Sequence, residues 1–162
     1  ALTDGKFYLL PDPNSPEQNV ETKAFDSQDG LALQWLRQAG ISAGLISGRE
    51  SAATAERART AGFRFVYQGH LEKKAILDEI LVDSGLDPKS VLYIGDDLTD
   101  IVVMRRVGVA IAVANARPQV KKFAHYVTTA SGGAGGVREV IELLLEAKGL
   151  LSELLVRYEA VE

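Results

Sequence analysis

Three aspartates, Asp96, Asp97 and Asp100, fall within five positions directly after the run Val91-Leu92-Tyr93-Ile94-Gly95. A short apolar run closed by a glycine reads as a buried strand. Its carboxylates then emerge at the C-terminal edge of a sheet, where open α/β folds place their ligands. Like charges this close repel unless a cation or protons intervene, so the chemistry they suit is a divalent metal site. Capping of a helix starting near Leu98, by Asp97 or Thr99, accounts for one of these residues and leaves the other carboxylates unexplained.

Two more strand exits carry groups of the same kind. Leu45-Ile46-Ser47-Gly48-Arg49 puts a hydroxyl, flexible backbone amides and a guanidinium just past a strand, with a helix starting at Ser51. Free N–H groups at that helix start complete a workable anion cradle. A plain strand–turn–helix in which Ser47 or Ser51 caps is equally compatible. Gln68-Gly69-His70-Leu71-Glu72-Lys73-Lys74 places Lys73 in the first turn of a helix, where the dipole disfavours a cation; read alone, it is also compatible with a solvated lysine pair. Together, a hydroxyl, a lysine and clustered aspartates on one sheet edge are the groups that phosphoryl transfer uses. Response-regulator receivers own a similar set, but with the acidic pair first and the lysine last.

The elements that must hold these groups follow a regular pattern. Phe7 to Leu10 and Val20 to Phe25 are strand-like, and the three prolines between them predict a hairpin, residues 7–25, with a long semi-rigid tip rather than a regular ladder. Asp26-Ser27-Gln28-Asp29-Gly30 reads as a polar loop before a helix with Leu31, Trp35, Leu36 and Ala39 on its apolar face. Strands are then expected at 43–46, 63–67, 91–95, 109–113 and 126–128, and helices at 51–61, 72–84, 98–107 and 117–125. A helical tail is expected at 137–160. Apolar strands alternating with helices indicate an α/β fold with a parallel sheet covered on both faces. His70 and His125 have no ligand-spaced partner, Trp35 and Met104 read as core, and Lys121-Lys122 as a solvated face.

Composition bounds the function. The 162 residues suit one domain, 1–162, with 46% hydrophobic and 25% charged residues. A net charge of −4 argues against nucleic-acid binding. The absence of cysteine excludes thiolate metal sites and cysteine nucleophiles and fits a cytoplasmic location. No apolar run reaches the roughly 20 residues of a membrane span.

The order Ser47, Lys73, Asp96 resembles the haloacid dehalogenase superfamily, in a Rossmann-like three-layer fold. Longer segments resemble the 3-deoxy-D-manno-octulosonate 8-phosphate phosphatases within it. These are Leu2-Thr3-Asp4-Gly5, Lys23-Ala24-Phe25 with Asp29-Gly30, Ile46-Ser47-Gly48-Arg49 with Arg57, Tyr67-Gln68-Gly69 with Lys73, Gly95-Asp96-Asp97 with Asp100, and the glycine-rich Gly132 to Glu139. They run in order over nearly the whole chain. Two positions depart from the family pattern. Asp26-Ser27-Gln28-Asp29-Gly30 stands where asparagine-x-arginine-aspartate-glycine is usual, and Gln34 stands where an arginine is common.

The resemblance implies a capless, Mg²⁺-dependent phosphatase of lipopolysaccharide precursor synthesis, acting on a small phosphorylated sugar acid. Asp96 would ligate the metal, and Asp100 would support it. Ser47 would hydrogen-bond the phosphoryl group and Lys73 would clamp its charge. Gly48, Arg49, Arg57 and the loop residues Ser27, Gln28, Asp29 and Gly30 would hold the substrate. Arg49 favours the eight-carbon substrate, since a related nonulosonate 9-phosphate phosphatase tends to carry glutamate there. A homotetramer is implied, with hairpins packed together. The family nucleophile and its acid/base partner are expected on a strand upstream of the segment matching Leu2. Alternatives are a phosphatase for a related sugar phosphate and a catalytically silent domain like that of some sialic-acid cytidylyltransferases.

Overall fold

The structure is a computed structural model that describes residues 1–160; the last two residues of the expected domain lie outside the described ones. The chain opens with an antiparallel hairpin, β1 (Tyr8–Asp12) and β2 (Ser15–Thr22). Helix α1 (Ser27–Gln38), β3 (Gly44–Ile46), α2 (Ala52–Ala61), β4 (Phe65–Tyr67) and α3 (Lys73–Ser84) follow. The second half contains β5 (Leu92–Gly95), a 3-10 turn at Leu98–Asp100, α4 (Ile101–Met104), β6 (Val109–Ala112), α5 (Pro118–Lys121) and β7 (Tyr126–Val127). Helices α6 (Gly136–Ala147) and α7 (Leu151–Arg157) complete it. The alternation expected from residue 43 onward is present, in an α/β fold.

All strand pairs after the hairpin are parallel. β3 pairs with β4, and β5, β6 and β7 form a second ladder with β6 in the centre. Helices cover the ladders on two sides. Ala32, Leu33, Trp35 and Leu36 of α1 pack with Val137, Ile141 and Leu145 of α6 and Leu154 of α7. Leu77 of α3, Val103 and Met104 of α4 and Val120 of α5 pack with Ala110 and Ala112 of β6. Ile94 of β5 lies against both clusters. Helix stops follow the glycines: α2 and α3 end at Gly62 and Gly85, both left-handed, where the missing Cβ removes the steric penalty.

Three local expectations are corrected. The hairpin ladder continues past the prolines, pairing Pro11 with Asn19 and Asp12 with Ser15 across an irregularity at Pro11/Asp12. A two-stranded ribbon has two free edges, so a proline without an N–H breaks no inward bond. Second, residues 27–30 are the first turn of α1, because the Asp26 carboxylate accepts from Gln28 N at 2.6 Å and Asp29 N at 3.0 Å. Third, the helices expected at 98–107 and 117–125 shorten to α4 and α5. Phe7, Leu9, Tyr8, Leu10 and Val20 of the hairpin are exposed, whereas Phe25 is half-buried.

Candidate active site

The three carboxylates after β5 divide into three roles. Asp97 Oδ1 accepts from Leu98 N at 2.7 Å and caps the 3-10 turn. Asp100 is 2% exposed and turns back under the strand exit. Its Oδ1 accepts from Lys73 Nζ and Tyr93 Oη, each at 2.6 Å. Its Oδ2 accepts from Asp96 N at 2.8 Å and Asp97 N at 3.0 Å. Gly95 permits this approach, since a Cβ there would lie 2.7 Å from Asp100 Cβ. Burial alone would raise the Asp100 carboxyl, but the Lys73 charge and the four donors outweigh it and hold it below the ordinary carboxylate value. Burial and the Asp100 charge push the Tyr93 phenol strongly upward, so Tyr93 is a fixed donor.

Asp96 is the carboxylate left over. It is half-buried, and its Oδ1 lies 2.8 Å from the Ala1 nitrogen. It lines a cavity of about 180 Å³ together with Ser47, Gly48, Arg49 and Lys73. Groups from the exits of β3 and β5 and from the start of α3 thus meet in one space, with Lys23, Phe7 and residues 1–3 on its other side. Ser47 N donates to Tyr67 O at 2.8 Å, and His70 N to Ser47 O at 3.1 Å, which ties the loops after β3 and β4 together. Ser47 Oγ donates to Arg49 O at 2.7 Å and accepts from Arg49 N at 3.1 Å, closing a tight turn. A second cavity, about 190 Å³, lies between the C-terminal ends of α1 and α2, away from the carboxylates.

The other expected site residues lie elsewhere. Asp29 is 1% exposed, and its Oδ1 accepts from Arg138 N at 2.8 Å in the first turn of α6. That helix has no side-chain cap of its own, so Asp29 caps it from α1. Arg57 Nη2 donates to Asp26 O at 3.0 Å and lies against Gly30, where a Cβ would be 2.5 Å away. Arg57 therefore fastens the start of α1. Ser27 and Gln28 are exposed in the first turn of α1, and none of Ser27, Gln28, Asp29, Gly30 and Arg57 lines the 180 Å³ cavity. Ser51, a possible cap of α2, makes no side-chain cap bond.

Two groups were missed in the sequence. Tyr93 interrupts an otherwise aliphatic buried strand, and a lone phenol there needs a partner. Glu21 in β2 and Lys23 just past its end are two apart, a spacing that puts side chains on one side of extended chain; their Oε1 and Nζ lie 3.1 Å apart.

Among the described residues, no group of three or more acidic or histidine side chains is arranged to hold a metal. A hard cation such as Mg²⁺ takes oxygen ligands and keeps several waters beside one or two carboxylates. Asp96 fits that part, half-buried at the exit of β5 and lining the cavity. Asp100 offers no free oxygen, since both accept hydrogen bonds, two of them from the Asp96 and Asp97 amides; it sits behind the Asp96 backbone.

Parallel α/β ladders whose hydroxyl, lysine and aspartate line one cavity carry the groups of a phosphoryl-transfer enzyme. Residues 58–141 match the family described as haloacid dehalogenase-like hydrolase. The chain is 39% identical over 151 residues to the 3-deoxy-D-manno-octulosonate 8-phosphate phosphatase of Yersinia pestis, covering 93% of this chain and 78% of that protein. The Escherichia coli K12 enzyme of the same name is 39% identical over 153 residues, 94% and 78% of the two chains. The Moraxella catarrhalis phosphatase, solved with magnesium, phosphate and a KDO molecule, superposes with a TM-score of 0.89 at 37% identity, covering 97% of this chain and 87% of that one. The cobalt-bound Haemophilus influenzae phosphatase gives 0.83 at 32% identity, with 94% and 85% covered. The chain belongs to the 3-deoxy-D-manno-octulosonate 8-phosphate phosphatase family of haloacid dehalogenase-like hydrolases.

Proposed function

We propose that this protein is a Mg²⁺-dependent phosphatase that hydrolyses 3-deoxy-D-manno-octulosonate 8-phosphate to the free sugar acid and phosphate, in lipopolysaccharide precursor synthesis. The observation that carries the reading is the meeting of Ser47, Arg49, Lys73 and Asp96 in one cavity, in a chain 39% identical to phosphatases of that name. The relative solved with magnesium, phosphate and KDO supports the same substrate class.

Asp96 would hold the metal, which when bound would neutralise charge on the phosphate oxygens. Lys73, fixed on Asp100, presents a cation beside the same oxygens. Ser47 donates its hydroxyl to the phosphoryl group once its local bond to Arg49 O is released. Gly48 lets the backbone approach, and Arg49 pairs with the sugar carboxylate through its planar fork. The family resemblance implies an aspartate nucleophile, which would take the phosphoryl group as an acyl phosphate while the sugar oxygen leaves with a proton from an acid. Water would then cleave the acyl phosphate, releasing phosphate and restoring the carboxylate.

The protein works as one domain and as a homotetramer in the cytoplasm. The exposed apolar residues of β1 and β2 suit packing of hairpin against hairpin. Light scattering at micromolar concentration tests the assembly, and a monomer would exclude it. The activity test is Mg²⁺-dependent phosphate release from the sugar acid phosphate by the full-length protein. No release, or no loss on Asp96→Ala, would overturn the reading.

A further inference from the structure

The hairpin meets the cavity residue Arg49 through an acidic side chain that the reaction above does not use. Glu21 Oε2 accepts from Arg49 Nη2 at 2.6 Å, and Glu21 Oε1 lies 3.1 Å from Lys23 Nζ. Lys23 in turn donates to Thr54 Oγ1 on α2 at 3.2 Å. On another side, the Arg49 guanidinium lies 4.0 Å from the centre of the Phe7 ring. Glu21 is 17% exposed and Arg49 is 57% exposed: the carboxylate is anchored and the guanidinium stands at the mouth.

A free arginine at a cavity mouth samples many rotamers and loses that freedom when it binds. Held by Glu21 and by the Phe7 ring, Arg49 is ordered before a ligand arrives. Glu21 accepts from one of the five guanidinium N–H groups; among the described residues the others donate no hydrogen bond. The open edge keeps the two-pronged geometry that a carboxylate matches. The Arg49 hydrogen bond holds the Glu21 carboxyl below its ordinary value against the effect of burial, and Lys23 adds to this. The clamp is therefore charged at neutral pH.

We propose that Glu21 is a positioning residue for substrate recognition, orienting Arg49 over Phe7 so that its open edge meets the carboxylate of the acidic sugar phosphate. The inference rests on the reading of Arg49 as the group that pairs with that carboxylate. It also gives the hairpin a second role beside assembly, because Phe7 and Glu21 both belong to it.

The test compares full-length wild type with Glu21→Gln, which keeps an acceptor but loses the charge, and with Glu21→Ala. Two substrates are used, the sugar acid phosphate and p-nitrophenyl phosphate, which has no carboxylate. KM for the sugar acid phosphate is expected to rise roughly threefold in Glu21→Gln and about tenfold in Glu21→Ala with kcat within about twofold, the pattern of lost uniform binding. KM for p-nitrophenyl phosphate should stay unchanged. An unchanged KM for the sugar acid, or equal rises on both substrates, overturns the inference alone. Wild type that hydrolyses p-nitrophenyl phosphate but not the sugar acid phosphate overturns the substrate reading, and this inference with it. If Glu21→Ala fails to fold, the milder Glu21→Gln still decides.

Discussion

Lys73 Nζ lies 2.6 Å from Asp100 Oδ1, with the two side chains only 9% and 3% exposed. Taking one partner from such a pair strands the other, which costs about 3–5 kcal/mol. Asp100→Ala should approach that figure, because it leaves the Lys73 ammonium buried and also unpairs Tyr93 Oη and the Asp96 and Asp97 amides. Lys73→Met should cost less, since Asp100 keeps three donors. Urea denaturation of both variants and of the double variant measures the difference, and the double should cost less than the sum of the singles.

The same pair sets a pH dependence. The Asp100 carboxyl is depressed in the folded protein, whereas unfolded aspartate titrates near about 3.9. Its contribution is fully present above that unfolded value and is lost as pH falls through the lower folded one. Stability measured by denaturation from pH 5 downward should therefore fall more steeply in wild type than in Asp100→Asn.

Tyr93→Phe removes one donor to a buried carboxylate and leaves the others. A hydrogen bond to a charged group is worth about 1.5–3 kcal/mol, so the variant should lose stability in that range. Lys73 remains on Asp100, and kcat should fall less than in Lys73→Met. Thermal unfolding together with steady-state kinetics checks both halves.

The order of elements was legible because apolar runs and glycine stops are local: Gly62 and Gly85 end their helices where the sequence placed the ends. That Asp96, Lys73, Ser47 and Arg49 meet in one cavity was legible because each follows a strand, and parallel strands bring their exits to one edge. The contacts of Asp29 and Arg57 were not legible, for a different reason. A capping contact with Arg138, 109 residues away, leaves no mark in local spacing, and the substrate role expected of both residues came from the family resemblance alone. The proline-rich tip misled because proline forbids only inward bonds, and a two-stranded ribbon has few.

Gly95→Ala tests how tightly the strand exit is packed. The added Cβ would meet Asp100 Cβ at 2.7 Å and Met104 Sδ at 3.0 Å. The methionine can move, but Asp100 is tied by four hydrogen bonds. Overpacking of this kind costs about 1–3 kcal/mol, and relief requires Asp100 to shift and take Lys73 with it. The variant should remain folded, lose stability in that range, and lose kcat more than it raises KM.

Asp29 separates a capping role from a substrate role. Its Oδ1 accepts from Arg138 N at the start of α6, so Asp29→Ala should cost about 0.5–2 kcal/mol, the usual effect of a lost cap. Asp29→Asn keeps an oxygen for the same amide and should cost less than Asp29→Ala. Burial chiefly raises the Asp29 carboxyl, against the Arg138 hydrogen bond; the ionised form is therefore penalised in the folded protein at neutral pH. That penalty is relieved as pH falls through the raised folded value toward the unfolded one. Wild type should gain stability relative to Asp29→Asn across this interval, opposite in sign to the Asp100 effect. With its carboxylate spent on α6, neither Asp29 variant should change KM for the sugar acid phosphate. A severalfold rise in KM at unchanged stability would return Asp29 to the substrate site.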